Sequence, residues 1–265
     1  MNLRLISLAA IAAVTVSPAF AKAPTNPEYA QGRKDIAAMR TVESLAPTAS
    51  TVGDIDSFGR SARYLGYIQS GLLLVQSDCS VAATGTLGPD DHCVTTNPAP
   101  ATTAFSFQDV GRMIIPGKSS NSLFCHTQTP LVIYSFSNGT GVYQPSARIV
   151  VTPSYKIENP VLNDPSLIDP NTGLPFNGSF TVSISGVRHS RSLQPGETQV
   201  ERDAGTRACI AGIVSKSALI SSYGLTAAQA SKFFSNDTII TMNLQGSTTM
   251  VDFAQVIYGT RIMGD

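Results

Sequence analysis

Apolar and polar residues alternate along most of the chain from Tyr64 onward, and this period of two is typical of strands with one buried face. The clearest example is segment 179–185, in which Phe180, Val182 and Ile184 lie on one face. Serine and threonine occupy the opposite face. Short strands of this kind, separated by turn residues, predict an all-β fold.

Two pairs of apolar segments are each separated by turn residues, and each pair predicts a β-hairpin. The four segments are 131–137, 142–151, 239–244 and 250–263. Asn138-Gly139 separates the first pair, and a Gln-Gly-Ser turn that begins at Gln245 separates the second. A break in the alternation near Gln255 predicts a bulge. We therefore expect residues 58–265 to form a single β-sandwich domain of Ig-like or jelly-roll type.

Two segments have the pattern of a helix instead. Thr226 is followed three residues later by Gln229, which is a capping box, and alanine, lysine and phenylalanine then predict one short capping helix over 226–234. Apolar residues recur at near-helical spacing over 36–46 and stop at Pro47. Residues 22–57 are thus expected to form an irregular N-terminal arm, flexible or partly helical.

The first 21 residues have the three parts of a secretory signal peptide. Arg4 supplies the positive charge, residues 5–16 form an apolar run, and small residues lead to Ala21. The run of about a dozen apolar residues is shorter than the roughly 20 that span a bilayer. Lys22 follows, so the cleavage site carries no cysteine for a lipid anchor. We expect a bacterial protein, secreted or periplasmic and associated with the cell surface, without membrane insertion.

The charge composition narrows the class of partners. The formal net charge is zero and charged residues make up only 14% of the chain. A neutral surface does not attract nucleic acid or an anionic membrane. Because the net charge is zero, copies of the protein do not repel one another electrostatically. This favours self-association or binding to other surface proteins.

The mature chain has four cysteines, an even number that predicts disulfides in an oxidising compartment. Three pairings are open. The spacing favours a local bond between Cys79 and Cys93 across a Gly/Pro/Asp-rich stretch, which leaves Cys125 with Cys209. A zinc site is disfavoured because the chain has no C-x-x-C motif.

Motifs for nucleophilic or phosphate chemistry are missing from the sequence. It has no G-x-S-x-G, S-x-x-K or H-E-x-x-H motif, and the three histidines, His92, His126 and His189, stand in uninformative settings. Gly111 and Gly117 precede Lys-Ser, but five residues separate them where a phosphate-binding loop has four. No catalytic residue and no organic cofactor is therefore predicted.

Structural calcium is the one cofactor that the sequence suggests, because calcium prefers carboxylate and carbonyl oxygens. Asp54 and Asp56 lie where the β pattern begins, and Asp169 and Asn171 belong to a D-x-N-x-G fragment without the closing glutamate of a calcium loop. Neither pair requires calcium, because a polar strand start explains Asp54 and Asp56 and a Pro-Asn turn explains Asp169 and Asn171.

The functional prediction is an exported, non-enzymatic surface, adhesive or filament-forming subunit. Its arm, or its last strand from Met250, would add to the sheet edge of a neighbouring copy. One alternative is a secreted hydrolase with a site built from loops around His126 or His189, and another is a monomeric ligand-binding module. Binding would involve the irregular segments 77–101, 158–178 and 188–206. The tyrosines that could stack on sugars are Tyr64, Tyr67, Tyr143 and Tyr155.

Overall fold

The computed structural model describes residues 63–80, 87–205 and 213–265, together with the backbone of residues 207–208. The described strands form two packed sheets, which confirms the predicted all-β sandwich. The predicted signal peptide and N-terminal arm lie outside the described residues. Among the helices that are described, none has the length and apolar character needed to cross a membrane.

Among the described residues, eight strands form the larger sheet. They are β1 (Arg63–Gln69), β2 (Leu73–Gln76), β3 (His92–Thr95), β5 (Leu123–Ser137), β9 (Thr198–Asp203), β10 (Arg207–Ala208), β11 (Val214–Ser215) and β13 (Val251–Gly264). Antiparallel β5 and β13 form its centre. Strands β1 and β2 pair with the other side of β13, and β3 adds to β2 in parallel. Strands β9, β10 and β11 pair with the other side of β5.

In the part of the chain that the structure describes, the smaller sheet consists of five antiparallel strands. They are β4 (Thr103–Ile115), β6 (Gln144–Glu158), β7 (Ser179–Ser183), β8 (Val187–Leu193) and β12 (Thr238–Thr249). Their order is β4, β12, β6, and then β7 and β8 side by side along β6. Strand β7 confirms the strongest strand prediction, because Phe180 is buried while Thr181 and Ser183 are exposed.

The core lies between the two inner faces. Alternate residues of β6 point inward, and Ile149, Val151 and Ile157 are fully buried. Each such side chain contributes about 1.5–3 kcal/mol by leaving water. Strand β5 is buried on both faces around Leu131 and Ile133, because a second apolar cluster covers the outer face of the larger sheet there.

Both predicted hairpins are wrong. Strands β5 and β6 belong to different sheets, so Asn138-Gly139 begins a crossing between sheets instead of a tight turn. The same is true of β12 and β13, because Gln245 lies within β12 and the chain turns at Met250, which has φ +58°. The bulge in β13 lies between Val251 and Phe253, two residues or more before the predicted position. Alternation identifies a strand but does not say which sheet the strand joins.

The short helices close one end of the sandwich. The predicted capping box is confirmed at α2 (Ala227–Ser235), where Thr226 Oγ1 accepts from the Gln229 backbone N–H and Gln229 Oε1 accepts from the Thr226 backbone N–H. Helix α1 (Lys216–Ser221) and a 3₁₀ helix (Pro160–Asn163) were not predicted. The rings of Phe233 and Phe234 pack on Phe124 of β5.

The end of β13 is held by a carboxylate. Asp265 Oδ1 accepts from the backbone N–H groups of Asn121, Ser122 and Leu123 at 2.8–3.1 Å and from the Ser120 hydroxyl at 2.7 Å. Partial burial raises the pKa of this carboxyl, but the hydroxyl and backbone donors outweigh burial and hold its pKa well below the usual 3.8. The folded state therefore binds fewer protons than the unfolded state near pH 4.

We expect Asp265→Asn to lower the free energy of unfolding by about 1–2 kcal/mol at pH 7, because a charged acceptor of several hydrogen bonds is lost. The stabilisation by Asp265 is complete above pH 4 and falls as the pH drops further, so the difference between wild type and variant should shrink below pH 4. Urea unfolding at pH 7 and pH 3 measures this difference. A difference that is the same at both pH values would contradict it.

Candidate functional site

An open groove runs along one side of the sandwich, between the β1–β2 corner and the middle of β4. Its volume is about 580 Å³. The polar residues that line it include Tyr67, Gln69, Asp90, Asp109 and Arg112. The groove therefore joins residues from both sheets and from the turn that precedes β3.

Two glycines let the backbone segments of the groove approach one another. A Cβ on Gly71 would lie 1.7 Å from the Asp90 carbonyl oxygen, and a Cβ on Gly111 would lie 2.5 Å from the Gln69 carbonyl oxygen. Neither position accepts a side chain without backbone movement. The Gly71 N–H also donates to the Val110 carbonyl at 3.0 Å, which ties the two sheets together at this point.

The turn over residues 88–91 forms one wall of the groove. The Asp91 carboxylate accepts from the Leu72 N–H at 2.8 Å and from the Gly88 N–H at 2.7 Å, so it fastens the turn to the start of β2. Strand β3 follows, and its Cys93 forms a disulfide with Cys79. This bond confirms the predicted local pair.

A bulge in β4 forms the opposite wall. Gly111 pairs with Met242 of β12 and Phe107 pairs with Leu244. Residues 108–110 of β4 therefore lie opposite Asn243 alone. Asp109 has φ +57°, a conformation that costs a non-glycine residue on the order of 1 kcal/mol. The side chain of Asn243 holds it there by accepting from the Asp109 N–H at 2.9 Å. Bulges of this kind re-aim side chains near functional sites.

Some polar groups that line the groove have no partner among the described residues. Gln69 is only 8% exposed, and its Oε1 accepts from the Tyr67 hydroxyl at 3.2 Å. In the described part of the chain, the Gln69 amide nitrogen has no acceptor. Asp90, Asp109 and Arg112 are exposed and likewise make no ion pair or side-chain hydrogen bond with described residues.

Charged residues on the other side of the sandwich are paired. His189 Nε2 lies 2.9 Å from Asp203 Oδ2, and Arg191 donates to Glu201 at 2.7 Å. The Tyr134 hydroxyl also donates to Glu201, at 2.7 Å. Because β8 belongs to the smaller sheet and β9 to the larger, these contacts join the two sheets. The expectation that segment 188–206 is an irregular loop is wrong, since β8 and β9 occupy most of it.

Burial and hydrogen bonding set the pKa values in this paired cluster. Burial, with the Glu201 contact, raises the pKa of Tyr134 far above 10. Partial burial raises the pKa of Glu201, but the hydrogen bonds from Arg191 and Tyr134 outweigh it and lower the pKa below its ordinary value. Glu201 is therefore a carboxylate acceptor between two donors. No hydroxyl or thiol of the described residues bonds to the side chain of His189, whose ring stacks on Tyr134.

The other two histidines lie apart from His189. His92 stacks on Phe107 with ring centroids 4.3 Å apart, next to the groove. His126 is half-buried between the sheets near Tyr155, and burial lowers its pKa. Its Nδ1 is buried and has no hydrogen-bond partner among the described residues.

The residues predicted for calcium divide into two sets. Asp54 and Asp56 lie outside the described residues. The Asp169 carboxylate accepts from the backbone and side chain of Asn171 and from the Thr172 hydroxyl, as in an Asx turn. Within residues 63–80, 87–205 and 213–265, no group of three or more His, Cys, Asp or Glu is arranged to hold a metal ion.

The other residues that the sequence analysis singled out, Cys209 and the tyrosines, do not form one site within the described part of the chain. Cys209 lies outside the described residues, so the Cys125–Cys209 bond stays a prediction. Tyr155 is buried and its hydroxyl donates to Thr260, which removes it as a sugar platform. Tyr143 is 51% exposed, and of the four tyrosines proposed as platforms only Tyr67 lines the groove.

Sequence reasoning identified Tyr67 and the segment 77–101, which includes the turn at 88–91, but it did not bring them together with β4. The glycines at positions 71 and 111 and the adjacent aspartates 90 and 91 were further local signals. The sequence matches no protein-family model, and no curated protein is similar to it at a significant level. The fold and the groove define the chain as a two-sheet, all-β sandwich with a polar lateral groove beside a disulfide.

Proposed function

We propose that this protein is an exported, non-enzymatic surface subunit, adhesive or filament-forming, that associates by strand addition at the β4 edge. The observation that carries the proposal is that β4, with 13 residues, is paired only with β12 among the described residues. An edge strand directs alternate N–H and C=O groups outward and is a template for a strand of another chain.

The first part of β4 suits an incoming strand better than the second part. From residue 111 onward β4 lies against β1, as the contact between Gly111 and Gln69 shows. Residues 103–107 carry the small exposed side chains Ala104 and Ser106 on one face. The opposite side of the sandwich is closed by the side-chain contacts between β8 and β9.

We do not assign the last strand as the donor. β13 lies at the centre of the larger sheet, between β5 on one side and β1 and β2 on the other, so its removal would break the core. The predicted arm over residues 22–57 remains the proposed donor. The signal-peptide pattern, the low charge and the disulfide support a protein that works outside the cytoplasm.

The mass of the native exported protein, measured by light scattering after chromatography, tests this proposal. We expect polymers or a defined oligomer, and we expect Ala104→Lys with Ser106→Lys to weaken association at least about tenfold, since lysines on an edge strand oppose strand addition. Both residues are exposed, so the variant should fold. The matched control is Thr181→Lys with Ser183→Lys on β7, also exposed, which should assemble like the wild type. A monomeric wild type would refute the proposal.

The groove favours a second candidate, a monomeric extracytoplasmic module that binds a ligand. Its volume lies within the range of about 300–1,000 Å³ that small-molecule sites occupy. A clean monomer with saturable ligand binding would establish this function in place of the first.

A further inference from the structure

We propose that the groove between β1, β4 and the turn at 88–91 is a carbohydrate-binding site for neutral sugars. This inference deepens the adhesive part of the proposed function, but it does not depend on strand addition. A protein that binds sugars as a monomer would refute the β4 edge mechanism and uphold the groove.

Several donors and acceptors in this groove have no partner among the described residues. Asp90 and Asp109 can accept hydrogen bonds, and Arg112 and the Gln69 amide nitrogen can donate them. Each hydroxyl of a sugar both donates and accepts, so neighbouring hydroxyls match a wall that offers both kinds of group. A cationic ligand would use only the acceptors.

The buried position of Gln69 is the strongest single observation. Gln69 is 92% buried, and its amide nitrogen has no acceptor among the described residues but is not sealed from solvent, so this donor is open to the groove. Because Gln69 lines the groove, a ligand hydroxyl can supply the missing acceptor. The adjoining Tyr67 adds an aromatic side chain to the same lining.

The charge of the lining selects among sugars. Asp90 and Asp109 outnumber the single cation, Arg112, and the Asp91 carboxylate adds to the negative charge although it is bound to backbone N–H groups. Sialylated, sulfated or phosphorylated glycans should therefore be repelled. The close contacts at Gly71 and Gly111 hold the lining segments in place before the ligand arrives, which lowers the entropy cost of binding.

The test is binding of the purified, oxidised protein to an array of neutral oligosaccharides, followed by calorimetry with the best glycan. Binding to anionic glycans and to a lysine-rich peptide is measured in parallel. We expect saturable binding to neutral glycans that weakens about tenfold or more in Arg112→Gln and in Asp90→Asn with Asp109→Asn, since each variant removes charged hydrogen-bonding groups. The matched controls, Arg188→Gln and Asp164→Asn, change exposed residues outside the lining and should bind like the wild type.

Thermal melting of each variant shows whether it is folded. The proposal is overturned if no neutral glycan binds at millimolar concentration, if the lysine-rich peptide or an anionic glycan is the only ligand, or if the groove variants bind neutral glycans as strongly as Arg188→Gln does.

Discussion

Replacing Asn138 by alanine should lower the free energy of unfolding by about 3–4 kcal/mol, because one buried and several partly buried polar groups would lose their partner at once. Asn138 is fully buried. Its Nδ2 donates to the carbonyls of Val142 and Gln194 at 2.9 and 3.0 Å and lies 3.2 Å from the carbonyl of Leu193. Its Oδ1 accepts from the backbone N–H and the hydroxyl of Thr140.

The position of Asn138 explains why the effect should be large. It joins the connection from β5 to β6 with the connection from β8 to β9, and both connections cross between the sheets. The Asn138 backbone also bonds to Glu197 and Gly196 of the second connection. Alanine keeps these backbone bonds but leaves three carbonyls without the Nδ2 donor, and among them the Leu193 carbonyl is buried.

Urea unfolding followed by circular dichroism measures the loss, and the melting temperature should fall by about 6–16 °C. Asn171→Ala is the matched control, because the Asn171 side chain bonds only to Asp169 in an exposed turn. The control should change stability by less than about 0.5 kcal/mol. A loss below 1 kcal/mol in Asn138→Ala would show that the crossing does not depend on this side chain.

Removing the Cys79–Cys93 disulfide, by Cys79→Ala with Cys93→Ala, should cost about 3 kcal/mol. The two cysteines are 14 residues apart, and closing a loop of this size removes a corresponding entropy from the unfolded chain. Strand β3 has only four residues and pairs with one neighbour among the described strands, so the disulfide is a large part of what holds it. The turn that forms one groove wall directly precedes β3, and glycan binding should weaken together with stability.

Urea unfolding with and without reductant separates the two predicted disulfides. The wild type should lose stability on reduction, whereas the exposed control Ser77→Ala should behave like the wild type in both conditions. In the double variant, any further loss on reduction reports the predicted Cys125–Cys209 bond. Equal midpoints for the oxidised wild type and the double variant would contradict the stabilising role of Cys79–Cys93.

The groove shows what sequence reasoning could and could not find. The disulfide beside it was predictable because Cys79 and Cys93 are close in sequence. The bulge at Asp109 was not, since it depends on pairing with Asn243, 134 positions away. Tyr67 was proposed as a sugar platform, but nothing local indicated that Gln69 and Arg112 would line the same groove.

Local chemistry by itself determined the strands, the capped helix and the short disulfide of this protein. Alternation forces one face of a strand inward, the Thr226–Gln229 pair satisfies the donors of its own helix, and a short loop brings two cysteines together. Tertiary structure alone decided which sheet each strand joins. An Asn-Gly turn is compatible with a hairpin and with a crossing, and the buried bonds of Asn138 to a distant connection select the crossing. The same long-range packing turned the segment around His189 into paired strands and brought the groove residues together.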